Sequence, residues 1–106
     1  MRFLVIAGSV EPFDMSKVGD APLRSNRYRA QLLERGKIES HAHIAGNRAH
    51  MWIFDVGSVD ELDEIMTNDP MSGFFEGRPM IYPLTSYERM KDRERIVEQL
   101  LGGGEA

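Results

Sequence analysis

Three histidines fall within ten residues near the middle of the chain, at His41, His43 and His50. The unperturbed pKa of an imidazole is about 6.5, so one histidine can remove a proton near neutral pH and another can return it. Arg48 stands beside them and can bind a carboxylate through its planar guanidinium group. These residue types predict proton-transfer chemistry on a small anionic molecule.

The histidines share a site only if the chain folds back between them. The segments Lys37–Ile44 and Arg48–Val56 predict two strands, and the intervening Ala45-Gly46-Asn47 is typical of a hairpin turn. With Gly46 and Asn47 as the loop, His43 lies opposite His50 and His41 opposite Trp52. Opposed Cβ atoms are then about 5 Å apart.

Alternation along these strands predicts two different faces. One face is polar and aromatic and holds Glu39, His41, His43, Arg48, His50, Trp52 and Phe54. The other is mainly apolar and holds Ile38, Ser40, Ala42, Ile44, Ala49, Met51 and Ile53. We therefore expect a pocket on the first face, although partly solvated sheet residues without a special role would give the same pattern.

In this hypothesis His43 and His50 are the acid/base pair and His41 supports them. The predicted substrate-binding residues are Arg48 for the anion, Trp52 and Phe54 for an apolar wall, with Glu39 and Tyr28 at the rim. Three imidazoles with Glu39 would also suit zinc or divalent iron or copper. We favour a metal-free site, and no cofactor is expected.

The remaining segments must position this hairpin. The predicted elements are a strand at Arg2–Val10, a loop over Glu11–Asp20, a helix at Pro22–Arg35, a short helix at Val59–Thr67, a loop or single turn over Met71–Gly77, an edge strand at Pro79–Tyr87 and a charged helix at Arg89–Leu101. Asp20 is expected to cap the first helix, and Ser58 with Glu61 to form a capping box on the second. Arg24, Arg27 and Arg29 could guide an anionic substrate, but a solvated helix face is the favoured interpretation.

Composition limits the classes of protein that this chain can represent. With 106 residues it has room for one domain, comprising residues 1–106 with a C-terminal helix and flexible tail over 89–106. It contains no cysteine, which excludes a thiol nucleophile and a Cys-based zinc site. A net charge of -4 argues against nucleic-acid binding, and no apolar run is long enough to span a membrane. We expect a cytoplasmic protein.

The element order predicts an α+β fold, a ferredoxin-like βαββαβ sandwich with an antiparallel sheet and a C-terminal helix. The first strand, RFLVIAGSV, is apolar at nearly every position, which indicates cover on both of its faces. The helices of so short a chain can cover only one. A second copy of the chain is expected on the other face, giving a dimeric α+β barrel.

Part of the chain resembles a known family. Gly36, Ile44-Ala45-Gly46, Phe54-Asp55-Val56, Ser58-Val59 and Leu62, and more loosely Pro70-Met71 and Phe74, resemble the muconolactone isomerases. The resemblance spans roughly Leu32 to Phe75. It implies a dimeric α+β barrel, often assembled further, and a cofactor-free proton shift on an unsaturated lactone that carries a carboxylate. The polar hairpin residues depart from the classical isomerase, so the substrate can differ.

Three functions follow as hypotheses. The first is a cofactor-free isomerase of a carboxylated, ring-derived metabolite from aromatic catabolism. The second is a cofactor-free oxygenase or cyclase of aromatic or polyketide compounds on the same barrel. The third is a ligand-binding oligomer without enzymatic activity. The expected partners are a small-molecule substrate and further copies of the chain.

Overall fold

The computed structural model describes residues 1–9, 15–46 and 49–102. The elements are β1 (Arg2–Ser9), α1 (Met15–Val18), α2 (Ala21–Glu34), β2 (Ile38–His43), β3 (Ala49–Asp55), α3 (Val59–Thr67), a 3-10 turn (Ser72–Phe74), β4 (Phe75–Leu84) and α4 (Tyr87–Leu100). The predicted α+β fold is confirmed, but the expectation of a loop over Glu11–Asp20 is wrong in part, because Met15–Val18 form the short helix α1. Across the described residues, no helix is long and apolar enough to cross a membrane.

Four antiparallel strands form one sheet in the order β2-β3-β1-β4. The predicted hairpin register is confirmed, since His43 pairs with His50 and His41 with Trp52. The predicted loop residue Asn47 and the anion-binding candidate Arg48 lie outside the described residues. β4 is the predicted edge strand, where the missing N–H groups of its prolines are tolerated, but it begins earlier than expected, at Phe75.

The face assignment fails at the start of β2. A register shift lies between Ile38 and Ser40, so Ile38 pairs with Phe54 instead of taking the opposite face. A bulge of this kind adds one residue and changes the alternation beyond it. As a result Ile38 is buried in the core, and Glu39 forms an ion pair with Arg2 instead of joining the histidines.

The helix ends agree with only part of the predicted capping. The Ser58 hydroxyl accepts from the Glu61 amide at 3.1 Å, as expected, but the Glu61 carboxylate accepts from the Gly57 amide rather than from Ser58. Asp20 makes no side-chain cap and instead pairs with Arg24 one turn later. Gly36 ends the turn after α2 with a φ of 75°, which glycine adopts without steric cost.

The core lies between the sheet and the helices α2 and α3. Its buried residues are Phe3, Val5, Ala7, Leu32, Ile38, Trp52, Phe54, Val56 and Leu62. No helix of the described residues covers the opposite face of the sheet. Its paired residues are Leu4 with Ile53, Ile6 with Met51, and the β4 residues Tyr82 and Met80. We call these six residues the open face.

The open face is apolar but only partly shielded. Leu4, Ile6, Met51 and Ile53 are half-buried, while Met80 and Tyr82 are about half exposed, at 50% and 48%. Helix α4 buries none of its residues and does not cover this face. The prediction that the helices of one chain cover only one of the two faces of β1 is therefore confirmed for the described residues.

Candidate active site

A cavity of about 330 Å³ lies between the sheet and the helices. Trp52 and Phe54 of β3 contribute to its sheet side, and Leu32 and Leu62 of α2 and α3 to its helix side. Small-molecule sites are commonly apolar cavities of this size with a few polar groups that fix orientation. The arrangement suits a compact ring with one or two polar substituents.

The three histidines form a contiguous cluster beside this cavity. The Nε2 atom of His41 lies 3.1 Å from Nδ1 of His50, within hydrogen-bonding distance. The His43 and His50 rings meet edge to face with centroids 5.0 Å apart. The hydrogen bond thus joins His41 and His50 diagonally across the hairpin, whereas His43 and His50 are direct cross-strand neighbours.

Trp52 connects the cluster to the cavity. Its buried indole lines the cavity and also stacks on two imidazoles, with ring centroids 5.1 Å from His41 and 5.7 Å from His50. The Arg29 guanidinium lies over the same indole, with its Cζ atom 4.9 Å from the ring centroid. Cations at this distance are attracted to the face of an indole. One side chain therefore contacts the cavity, the histidines and a cation.

The His41 imidazole is biased toward its neutral form. Its pKa is lowered by desolvation first, then by His50 and by the positive charge of Arg29. Although the side chain retains contact with solvent, stacking on Trp52 excludes water from part of its surface. A histidine whose pKa lies below about 6.5 is neutral at pH 7 and can accept a proton.

Arg29 of α2 is held by a buried network that also includes Ser25 of α2 and Asp69, just after α3. Its Nε atom donates to Oδ2 of Asp69 at 3.0 Å, and the two side chains are only 14% and 10% exposed. The other carboxylate oxygen, Oδ1, accepts from the Ser25 hydroxyl at 2.7 Å and from the Met71 amide at 2.8 Å. Because Asp69 is anchored at both oxygens, it fixes the plane of the guanidinium group.

A family profile described as muconolactone delta-isomerase matches residues 1–90. The chain belongs to the muconolactone delta-isomerase family. It is 34% identical over 73 residues to the muconolactone delta-isomerase of Cupriavidus pinatubonensis, covering 67% of this chain and 79% of that protein. The resemblance is thereby confirmed, and the chain is an isomerase-like enzyme, which sets the non-enzymatic hypothesis aside.

Solved structures agree on the fold. A muconolactone isomerase crystal structure superposes with a TM-score of 0.71 at 24% identity, covering 82% of this chain and 91% of that one. A 5-chloro-2-hydroxyhydroquinone dehydrochlorinase from Burkholderia phenoliruptrix, in complex with 2,5-dihydroxybenzoquinone, gives a TM-score of 0.55 at 21% identity, covering 84% and 98%. At these identities the likeness establishes the α+β fold and not the reaction.

The predicted site residues separate into two groups. His41, His43, His50 and Trp52 come together. Phe54 lies in the core and lines one side of the cavity. Tyr28 also lines the cavity, and its hydroxyl donates to the Ile65 carbonyl at 2.7 Å. Burial and nearby carboxylates raise the Tyr28 pKa, so the hydroxyl stays protonated at neutral pH.

Glu39 is set apart from this group. Its carboxylate accepts from Arg2 Nε and Nη2, the latter at 2.8 Å. The four-ligand metal hypothesis needs Glu39 beside the three imidazoles, and this ion pair draws its carboxylate to Arg2. Within residues 1–9, 15–46 and 49–102, no three His, Asp or Glu side chains form a group able to hold a metal.

Asp69 and Ser25 are polar residues that sequence reasoning missed, and Arg29 was considered as an anion guide only as the less favoured alternative. The expectation that Arg29 lies on a solvated helix face is wrong, because its side chain is mostly buried against Asp69 and Trp52. Spacing contained a signal: Ser25, Arg29 and Leu32 recur at intervals of four and three, so they share one face of α2. That face is the buried one.

Proposed function

We propose that this enzyme catalyses a cofactor-free proton shift in a carboxylated, ring-derived substrate of the muconolactone type. The single observation that carries the proposal is the hydrogen-bonded pair of His41 and His50, stacked on the tryptophan that lines an apolar cavity. Family membership supports the isomerase class, and the name of the Cupriavidus relative supports the lactone.

The proposed step moves one proton. A neutral imidazole of the pair accepts a proton from the γ-carbon of the unsaturated lactone, which leaves a dienolate conjugated with the carbonyl. An imidazolium then returns a proton to the α-carbon next to the carbonyl, so the double bond has moved and no atom is gained or lost. The lowered pKa of His41 suits it to the base role, and His50 can relay the proton through their contact. His43, at 5.0 Å from His50, supports the pair.

The proposal is tested by incubating the protein with muconolactone in D₂O and following the ring protons by proton NMR. Enzyme-dependent movement of the double bond with incorporation of solvent deuterium supports a histidine relay, because an imidazole exchanges its proton with water. Full retention of the original hydrogen does not contradict isomerisation, but it contradicts a solvent-exchanging relay. No conversion above the enzyme-free rate contradicts the proposed function.

The second sequence hypothesis, a cofactor-free oxygenase or cyclase of aromatic or polyketide compounds, stays a prediction. The aromatic side chains that line the cavity, Tyr28, Trp52 and Phe54, favour it, because aromatic rings pack favourably against one another. Oxygen consumption with an electron-rich phenol, together with no isomerisation of muconolactone, would favour this function over the first.

We also propose that the open face packs against the open face of a second copy. Its six residues are apolar and are covered by no helix of the same chain within the described residues. Two sheets packed face to face would bury them in an inter-sheet core and give the predicted dimeric barrel. Light scattering coupled to size-exclusion chromatography tests this, and a monomer at micromolar concentration would contradict it. The cytoplasmic location and the single-domain organisation stay predictions.

A further inference from the structure

Arg29 is the cation that lines the cavity among the residues that the structure describes. It lies on α2, above the sheet, between the indole of Trp52 and the carboxylate of Asp69. A charged side chain that is 14% exposed against apolar neighbours loses much of its hydration. Such a residue needs compensating interactions, which the surrounding side chains supply in a particular geometry.

Asp69 and Trp52 compensate the charge of the Arg29 guanidinium and also fix its orientation. Asp69 is linked to Ser25 on α2 and to the Met71 amide beyond α3, so it cannot rotate without breaking two short hydrogen bonds. Its second oxygen accepts from Nε of Arg29, and the indole supports the guanidinium plane. Arginine and a carboxylate frequently form two parallel N–H···O bonds in the guanidinium plane. The network therefore holds the guanidinium in one orientation at the cavity wall.

We propose that Arg29 binds the carboxylate of the substrate and that Asp69 and Ser25 are its positioning residues. This assignment rests on the proposed function and gives the anion-binding role to Arg29, the less favoured sequence alternative, instead of Arg48. Arg29 also affects the base, because its charge is one of the influences on His41. A carboxylate bound at Arg29 would thus place an attached ring against Trp52, within the layer that carries the histidine pair.

The test is isothermal titration calorimetry with two carboxylates, muconolactone and unreactive benzoate, and with the methyl ester of each. We expect the wild-type protein to bind both acids, and Arg29→Gln to weaken acid binding by about tenfold or more because a charge-assisted pair is lost. Binding of the esters should change by less than about twofold. Arg29→Lys keeps the charge but not the planar fork, so it should recover part of the acid affinity.

Arg24→Gln is the matched control. Arg24 lies on the same helix but is exposed and paired with Asp20 one turn away, so its replacement should leave acid binding unchanged. Asp69→Asn keeps the size of the side chain and removes its charge, and it should weaken acid binding less than Arg29→Gln does. Because a buried network is altered, circular dichroism should first show that each variant is folded. Arg29→Lys keeps the positive charge beside Asp69 and keeps the test decisive if Asp69→Asn does not fold.

The outcomes separate this inference from the proposed function. Conversion of muconolactone by the wild type, with equal acid binding by Arg29→Gln and wild type, overturns the inference and leaves the function standing. Arg29-dependent binding of benzoate without any conversion of muconolactone supports the inference and overturns the function. If the wild type binds neither acid, or if acid and ester binding fall together in Arg29→Gln, the assignment of Arg29 as a carboxylate receptor is wrong.

Discussion

The two faces of the sheet are formed by the same strands but have opposite surroundings. On the helix-covered face Val5, Trp52 and Phe54 are at most 5% exposed, and the cavity and histidine pair lie there. On the open face Met80 and Tyr82, from the neighbouring strand, remain about half exposed. The polar atoms that can move a proton or bind an anion lie together on the covered side. The open side presents mainly apolar side chains.

This contrast separates chemistry from assembly. Burial beside α2 and α3 fixes Trp52, Arg29 and Asp69 against one another, which a catalytic site requires. A mainly apolar surface whose polar atoms are the Tyr82 hydroxyl and the methionine sulfurs offers little to a reaction but can pack against an equivalent surface. Changes on the covered face should therefore alter activity or folding, and changes on the open face should alter oligomeric state first.

The largest effect is expected from removing the histidine pair. The double variant His41→Ala/His50→Ala removes both proposed proton carriers, so kcat/KM for muconolactone should fall by roughly 10²- to 10⁴-fold, the range typical of general acid–base catalysis. His43→Ala should cost less, since His43 contacts the pair through one ring edge. A double variant with near wild-type turnover would remove the histidines from the mechanism.

The next effect concerns the open face. Ile53→Asp places a charge on the open face beside Leu4, and burying an unpaired carboxylate between two sheets costs several kcal/mol, so dimer affinity should fall by about a hundredfold or more. Analytical ultracentrifugation measures the change. The control Gln31→Asp adds the same charge at an exposed position of α2 and should leave the dimer intact. Equal behaviour of the two variants would mean that the open face is not the interface.

Two adjacent leucines on α2 provide a matched test of the covered face. Leu32 is 7% exposed and belongs to the core cluster, whereas Leu33 is 45% exposed. Leu32→Ala should lower the free energy of unfolding by about 2–5 kcal/mol through lost burial and a residual cavity. Leu33→Ala should change it by about 0.5 kcal/mol or less. Urea denaturation at one fixed protein concentration compares them, and similar losses would contradict the assigned core.

The smallest effect is a change in pH dependence. His41 must be neutral to act as the base, and its lowered pKa implies that kcat/KM rises with pH with a midpoint below about pH 6.5. Arg29→Gln removes one of the influences that lower this pKa, so the rising limb should move toward higher pH. A pH–rate profile of the two proteins measures the shift. Movement toward lower pH would contradict the electrostatic contact between Arg29 and His41.

The sequence was sufficient for the hairpin register and for the unpartnered sheet face, because both depend on local alternation and on a turn with a glycine at Gly46. It failed at Ile38, since a bulge is set by tertiary packing and reverses the alternation from which Glu39 was assigned. Arg29 and Asp69 lie 40 residues apart, and their pairing depends on how two helices pack on the sheet. The spacing of Ser25, Arg29 and Leu32 indicates that Arg29 lies on the buried face of α2, but an arginine side chain is more often solvated, which favoured the wrong prediction.

The central claim is that the histidine pair and the cavity beside it form one reaction site. The most direct measurement is a crystal structure of the protein with a bound, unreactive carboxylated lactone analogue. The account predicts the ring in the cavity against Trp52, with the carbon that would lose its proton about 3–3.5 Å from an imidazole nitrogen of His41 or His50. A ligand bound on the open face, or seated in the cavity with both imidazoles beyond reach, would contradict the account.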